Sequence, residues 1–242
     1  MKKNILGIDV LFESYGELLS TFFTSGIRTF TCANHHYINI AYEQKDYRRY
    51  LESFGVIFTD GLGTKLAAKL LYDGNKIERI TGSDFYPILL KEITARGLSL
   101  YILGDSQKVL DKAIEKLRES FPGINICGSH QGYFDLTDRS IVDDINRKSP
   151  FLVMVGLGAP LQENWVTRWK DELNAEKILV IGGWLRVISG DRKRGPLWVR
   201  KMGLEWLIRL LSDPRRSWKR YIVGIPLFVY RVFKQKLSIL LK

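Results

Sequence analysis

Along this chain apolar residues gather into short runs that end in glycine, with stretches of helical spacing between them. The clearest run, Val56-Ile57-Phe58-Thr59, leads into Asp60-Gly61-Leu62-Gly63, after which Leu66, Ala67, Leu70 and Leu71 recur at i, i+1, i+4 and i+5. That pattern predicts a strand, a tight turn and a helix. Residues 28–33 predict a strand leading into a helix near 37–41, and residues 79–84 a further strand-to-turn passage, with Pro87 early in the next helix, where proline is tolerated. The run at 98–103 closes on Gly104-Asp105; Val109, Ala113, Ile114 and Leu117 then keep helical spacing until Phe121-Pro122-Gly123 stops it, and 124–127 predicts a short strand. The runs at 151–155 and 178–181 end in Gly156-Leu157-Gly158 and Gly182-Gly183 and are apolar throughout rather than alternating. Strands buried on both faces read this way, so the expected class is α/β, a parallel sheet flanked by helices in about six β-α units.

The pattern changes after residue 197. Apolar residues dominate 221–241, but Gly224, Pro226, Arg231, Lys234 and Lys236 interrupt them, and the longest uncharged piece, 221–230, is too short to cross a bilayer. Charge sharpens the contrast: residues 186–242 hold 15 Lys+Arg against 3 Asp+Glu, a net of +12, so the first 185 residues are nearly neutral within a total of +11. The chain therefore divides into a core, 1–197, and a basic amphipathic appendage, 198–242, that suits a membrane interface; a helix pair packed on the core and a nucleic-acid arm are the alternatives. Cys32 and Cys127 form no C-x-x-C pair, which points to reduced thiols and a cytosolic setting. The N-terminal stretch, broken by Asp9 and Glu13, does not read as a signal peptide.

Candidate chemistry sits at the predicted strand ends. Asp60 there is a candidate general base, with turn or helix capping as the plainer reading. The turns at Gly104-Asp105-Ser106 and Gly156-Leu157-Gly158 offer N–H groups to phosphate, but neither a P-loop nor a three-glycine dinucleotide fingerprint occurs. Gln162, at an expected helix start, is suited to a sugar or base, or simply to solvent. Tyr133 and Phe134 are suited to stacking on a nucleobase, or to the core. His35 and His36 lack a third ligand and no Asp-x-Asp triplet is present, so no metal and no other cofactor is expected. Arg192, Lys193, Arg194, Arg209, Arg215, Arg216, Lys219 and Arg220 supply cations for a diphosphate.

Taken in order, Thr31-x-x-Asn34, Thr59-Asp60-Gly61-x-Gly63, Glu78-Arg79-x-Thr81-Gly82-Ser83-Asp84, Gly132-Tyr133-Phe134, Gly156-x-Gly158-Ala159-Pro160-x-Gln162-Glu163-x-Trp165, Gly182-Gly183, Gly203-Leu204-Glu205-Trp206-x-x-Arg209-Leu210, Pro214-Arg215-Arg216 and Arg220-Tyr221 resemble one family. It is the WecG/TagA/CpsF bacterial glycosyltransferases, glycosyltransferase family 26. The resemblance covers roughly residues 5–231. It implies a Rossmann-like core that binds a UDP-sugar, and a C-terminal appendage that meets the cytoplasmic face of the cell membrane and completes the active site. It also implies inverting, metal-independent transfer of a hexose onto a polyprenyl-diphosphate-linked sugar, in synthesis of a surface polysaccharide or cell-wall polymer. Carried onto this chain, Asp60 is the base; Thr31, Asn34 and Gln162 hold sugar hydroxyls. Arg79, Gly82 and Ser83 line the donor side, joined by the glycine turns at Gly104 and Gly158, with Tyr133 and Asp191 near the uridine. Arg209, Arg215, Arg216 and Arg220 clamp diphosphate or lipid. Two departures, Trp184-Leu185-Arg186 after the glycine pair and Arg194-Gly195-Pro196 for an Arg-Ala-Pro element, leave glucose, N-acetylmannosamine and its uronic acid all open as the donor sugar. Oligomeric state is left open, a homo-oligomer included; a nicotinamide-dependent oxidoreductase and a nucleic-acid-binding protein are the competing readings.

Overall fold

The computed structural model describes residues 1–72 and 77–241, except for the side chain of Arg216. Its strands are β1 (Lys2–Ile5), β2 (Ile8–Leu11), β3 (Thr29–Ala33), β4 (Val56–Thr59), β5 (Ser99–Gly104), β6 (Asn125–His130), β7 (Leu152–Gly156) and β8 (Lys177–Val180). The helices of the first half are α1 (Tyr15–Thr24), α2 (His35–Glu43), α3 (Lys45–Glu52), α4 (Leu62–Tyr72), α5 (Gly82–Ala95) and α6 (Gln107–Ser120). Those of the second half are α7 (Arg139–Lys148), α8 (Leu161–Trp169), α9 (Leu185–Ile188), α10 (Leu197–Lys201), α11 (Glu205–Ser212), α12 (Pro214–Trp218) and α13 (Gly224–Leu240), with a π-helical turn, Lys219–Val223, before the last.

One sheet of eight strands, ordered β1-β2-β4-β3-β8-β7-β5-β6, organises the chain; all neighbours are parallel except β1 and β2. Every residue of β3, β4, β7 and β8 is buried, as their unbroken apolar runs require of central strands, whereas β6 at the edge is only half-buried. Trp165, Tyr47, Tyr86, Tyr101 and Phe58 fill the core.

Two local expectations are corrected. Residues 77–81 form no strand: both edges of β4 are already paired, by β2 and β3, so this passage crosses as a loop that buries Ile77 and Ile80 and accepts the Gly61 N–H on the Ile80 carbonyl at 2.8 Å. Pro87 lies past the first turn of α5, where it frees the Ser83 carbonyl; the Arg194 guanidinium donates to that oxygen at 3.3 Å. An N-terminal hairpin, β1–β2, stands outside the predicted units. Leu6 and Gly7 turn it with positive φ, 52° and 89°, as two-residue hairpins demand. The Leu6 N–H donates to Gln235 on α13 at 2.9 Å, so the C-terminal helix is tied to the first turn of the chain.

α13 packs against α2 and α4 and buries Phe228 and Val232. Polar contacts secure it: Asn39 donates to the Gly224 carbonyl at 2.7 Å, and Arg231 donates to Asn39 at 3.0 Å and Glu43 at 2.7 Å.

Candidate active site

The loops leaving the carboxyl ends of β3, β4 and β8 converge on a cavity of about 560 Å³. This edge is where open parallel sheets present ligand-binding groups. Asp60 leaves β4 here, its N–H held by the Ala33 carbonyl at 2.8 Å, and Gly61 takes φ +88°, a conformation that glycine adopts without strain. The carboxylate accepts from the Gly82 N–H, at the first residue of α5, on Oδ1 at 3.0 Å, and from the Asn34 amide on Oδ2 at 3.2 Å. Asn34 is at the same time the N-cap of α2, where its oxygen accepts from the N–H groups of His36 and Tyr37 at 3.0 and 3.2 Å. Only the amide oxygen can accept two N–H bonds, so its nitrogen must face Asp60. Two donors leave Asp60 further lone-pair capacity on the cavity side. Gly82 is required because a Cβ there would stand 2.5 Å from the Tyr86 hydroxyl.

Among the described residues five arginines border the cavity: Arg79, Arg192, Arg200, Arg209 and Arg220. Glu205 holds Arg209 at 2.8 Å and faces Arg194 at 3.4 Å, while Arg194 reaches Asp84 on α5 at 2.8 Å. This chain of charges fastens the arginine-bearing helices to the core. Burial works against the Arg209 charge, but Tyr221, Glu205 and Asp60 together hold its pKa above the ordinary guanidinium range. For Arg192 burial comes first and Arg209, Arg186 and Arg220 add repulsion, so its pKa is lowered. Among the described residues no carboxylate pairs with Arg192. A guanidinium held among like charges favours an anionic ligand.

His35 also borders the cavity, its Nε2–H donating to the Arg220 carbonyl at 3.3 Å beside the rings of Tyr221 and Phe228. Burial, then the Arg220 charge, pushes His35 down to about 4; burial, Arg220 and His35 push His36 down to about 3. Both rings are neutral at pH 7 and add no charge to the cationic wall.

Of the residues singled out from sequence, Asn34, Asp60, Arg79, Gly82, Ser83, Arg209 and Arg220 meet in this cavity. Others lie elsewhere. Thr31 is fully buried within β3, its hydroxyl without a hydrogen-bond partner among the described residues. Gln162 neither faces solvent nor lines the cavity: it is fully buried, its oxygen accepts from the N–H groups of Gly158 and Gly182, both at 3.1 Å, and its nitrogen donates to Glu163. It clasps the turns after β7 and β8 together. Gly104 packs its Cα side on the Gly156 backbone, Tyr133 is 67% exposed on the loop after β6, and Asp191 is exposed and paired with Lys112 at 3.1 Å. Arg215 is exposed outside the cavity, and the side chain of Arg216 lies outside the described residues. Sequence reasoning passed over Arg200 and the anchoring role of Glu205; the i,i+4 spacing of Glu205 and Arg209 was the available signal for the latter.

A cleft at the carboxyl edge of a parallel sheet, floored by a carboxylate and walled by arginines, defines an α/β protein whose site suits an anionic, polar ligand. The profile of the Glycosyl transferase WecG/TagA/CpsF family matches residues 4–240, so the chain belongs to that family and is a glycosyltransferase. An N-acetylglucosaminyldiphosphoundecaprenol N-acetyl-beta-D-mannosaminyltransferase of Staphylococcus aureus strain MW2 is 30% identical over 247 aligned positions, covering 98% of this chain and 94% of the relative. The protein of the same name from strain MRSA252 matches with the same identity and coverage. Family membership decides against the oxidoreductase and nucleic-acid readings.

Proposed function

We propose that this protein transfers a hexosyl group from a UDP-sugar to a polyprenyl-diphosphate-linked sugar, with inversion at the anomeric carbon, on the inner face of the cell membrane. The observation that carries the reading is Asp60, held by Asn34 and the start of α5, facing a cavity ringed by arginines. In the reaction, the Asp60 carboxylate takes the proton of the acceptor hydroxyl as that oxygen bonds to the anomeric carbon from the face opposite UDP. The bond from that carbon to the diphosphate oxygen breaks, and its electron pair leaves with UDP. Arg192, Arg209 and Arg220 offset the charge on the departing diphosphate, in a site where guanidiniums are already in place. N-acetylmannosamine is the donor sugar of choice, because the S. aureus relatives are named for its transfer to an N-acetylglucosaminyl lipid diphosphate.

Residues 198–242 supply the membrane contact. Of 22 large apolar residues that stand exposed among the described residues, 15 fall at 197–241, Trp198, Met202, Trp218 and Ile222 among them. That density, interleaved with Lys201, Arg215 and Lys219, supports the reading of an interfacial surface. No helix among the described residues is long and apolar enough to cross a membrane.

The test is transfer from a panel of UDP-sugars to synthetic polyprenyl-diphosphate N-acetylglucosamine, read by mass spectrometry, with Asp60→Asn beside the parent. Gain of one N-acetylhexosamine, with kcat lowered about 10²- to 10⁴-fold in the variant, is expected. Parent-like turnover in Asp60→Asn removes Asp60 from the base role.

A further inference from the structure

Beyond Asp60 and the arginines, the same cavity runs into a groove between α4 and α13. One wall is Leu62, Leu66 and Leu70, spaced i, i+4, i+8 on α4; the other is Val229, Val232 and Phe233 on α13. These walls face each other without closing: Leu66, Val229 and Phe233 remain 53%, 45% and 52% exposed. The wall from Leu62 to Leu70 extends for about 12 Å along the helix axis. The same lining carries the Asp60 carboxylate and the guanidiniums of Arg79 and Arg209. Arg79 shares the surface of Gly203 with Leu62, its Nη1 and the Leu62 Cδ2 lying 3.2 and 2.9 Å from where a Cβ on Gly203 would stand. Past Leu62 these walls are hydrocarbon.

We infer that this groove holds the first isoprene units of the acceptor lipid. The inference rests on the proposed acceptor, a sugar joined through diphosphate to a polyprenyl chain. That molecule carries a hydroxyl, an anion and a hydrocarbon chain, and the cavity offers a carboxylate, guanidiniums and apolar walls to match them. An apolar groove continuous with a charged site favours an amphiphile whose two ends match both parts. The groove thereby selects for a chain attached to the diphosphate, and it does so at residues distinct from those that hold the sugar.

The experiment compares two acceptors with the same sugar diphosphate, one bearing a polyprenyl chain in detergent micelles and one a short soluble alkyl chain. Leu66→Asp and Val229→Asp place charge at half-exposed positions. Expected is a fall of at least tenfold in kcat/KM for the polyprenyl acceptor, transfer to the short acceptor within twofold of the parent, and an unchanged Tm. Equal losses on both acceptors, or no loss on either, overturn the inference. Labelling of the parent protein by a diazirine-bearing polyprenyl diphosphate gives a readout independent of turnover. Label on the peptides of Leu66 and Val229 supports the groove, and label confined to the outer surface at Trp198 and Trp218 overturns it. A parent that transfers to neither acceptor yet carries label in the groove would refute the proposed reaction and leave the lipid site standing.

Discussion

Replacing Glu163 by glutamine tests how the core under the active site is balanced. The side chain is fully buried on α8, and burial, only partly offset by the Gln162 amide, pushes its carboxyl from an ordinary 4.5 up to about 7. A folded-state pKa above the unfolded value means the native protein binds the extra proton between those limits. The contribution of the neutral acid is complete below pH 4.5 and is lost as pH rises through 7. A difference of about 2.5 pH units is worth about 3 kcal/mol. Glu163→Gln should therefore match the parent near pH 4.5 and exceed it by about 3 kcal/mol at pH 8, roughly 6–12 °C in Tm for a chain this size. His35 and His36 slope the other way. Their folded-state values, about 4 and about 3, lie below the ordinary 6.5, so their contribution is present above pH 6.5 and lost as pH falls. In the parent the two slopes oppose each other between pH 4.5 and 6.5; in the variant the histidine slope stands alone, and stability rises steadily across that window. Urea unfolding of both proteins at half-unit steps from pH 4.5 to 8.5 measures this. A difference between them that is the same at pH 5 and pH 8 would refute the reasoning.

Further outcomes follow from the contacts around the cavity. Asn34→Ala removes the α2 cap, costing about 1 kcal/mol, and also the donor on Asp60, so kcat should fall by on the order of tenfold while KM for the donor holds; an unchanged kcat would separate Asn34 from the positioning of Asp60. Arg194→Met cuts the link from Asp84 to Glu205, and with the partial exposure of Asp84 discounted, a loss of about 2 kcal/mol is expected together with earlier tryptic cleavage after Lys201. Cleavage at the parental rate would show that the link does not fasten the appendage. Deleting 203–242 should abolish both vesicle sedimentation and transfer. Because that deletion also uncovers the α2–α4 surface beneath Phe228, the exposed pair Trp218→Glu, Ile222→Glu is the sharper probe: sedimentation with anionic vesicles should drop while Tm stays put.

How far the site was legible varies residue by residue. Asp60 was visible as a carboxylate closing an apolar run, because strand, turn and helix are written in spacings of a few residues. The cationic supply was visible as a charge imbalance, but which arginines turn inward was not: Arg209 and Arg220 enter the cavity and Arg215 stays outside it, according to how α11, α12 and α13 are seated on the core. Gln162 misled for the opposite reason. A glutamine beside a glycine turn has the chemistry of a ligand contact, yet here the turns of β7 and β8 close over it and take both lone pairs of its oxygen. Residues 79–81 had the composition of a strand, but β4, whose following turn they contact, has both edges taken by β2 and β3.

By itself, then, the sequence determined the alternation of strands and helices, the α/β class, the family and the basic, amphipathic character of the last 45 residues, since periodicity and composition are properties of neighbours along the chain. Only the tertiary structure decided which strand ends meet. The order β4-β3-β8 brings Asp60, Asn34 and Gly182 together from positions far apart in the chain, and the docking of α13 on α2 and α4 turns a basic tail into one wall of the cavity. Those choices rest on pairings between distant segments, which no local pattern encodes.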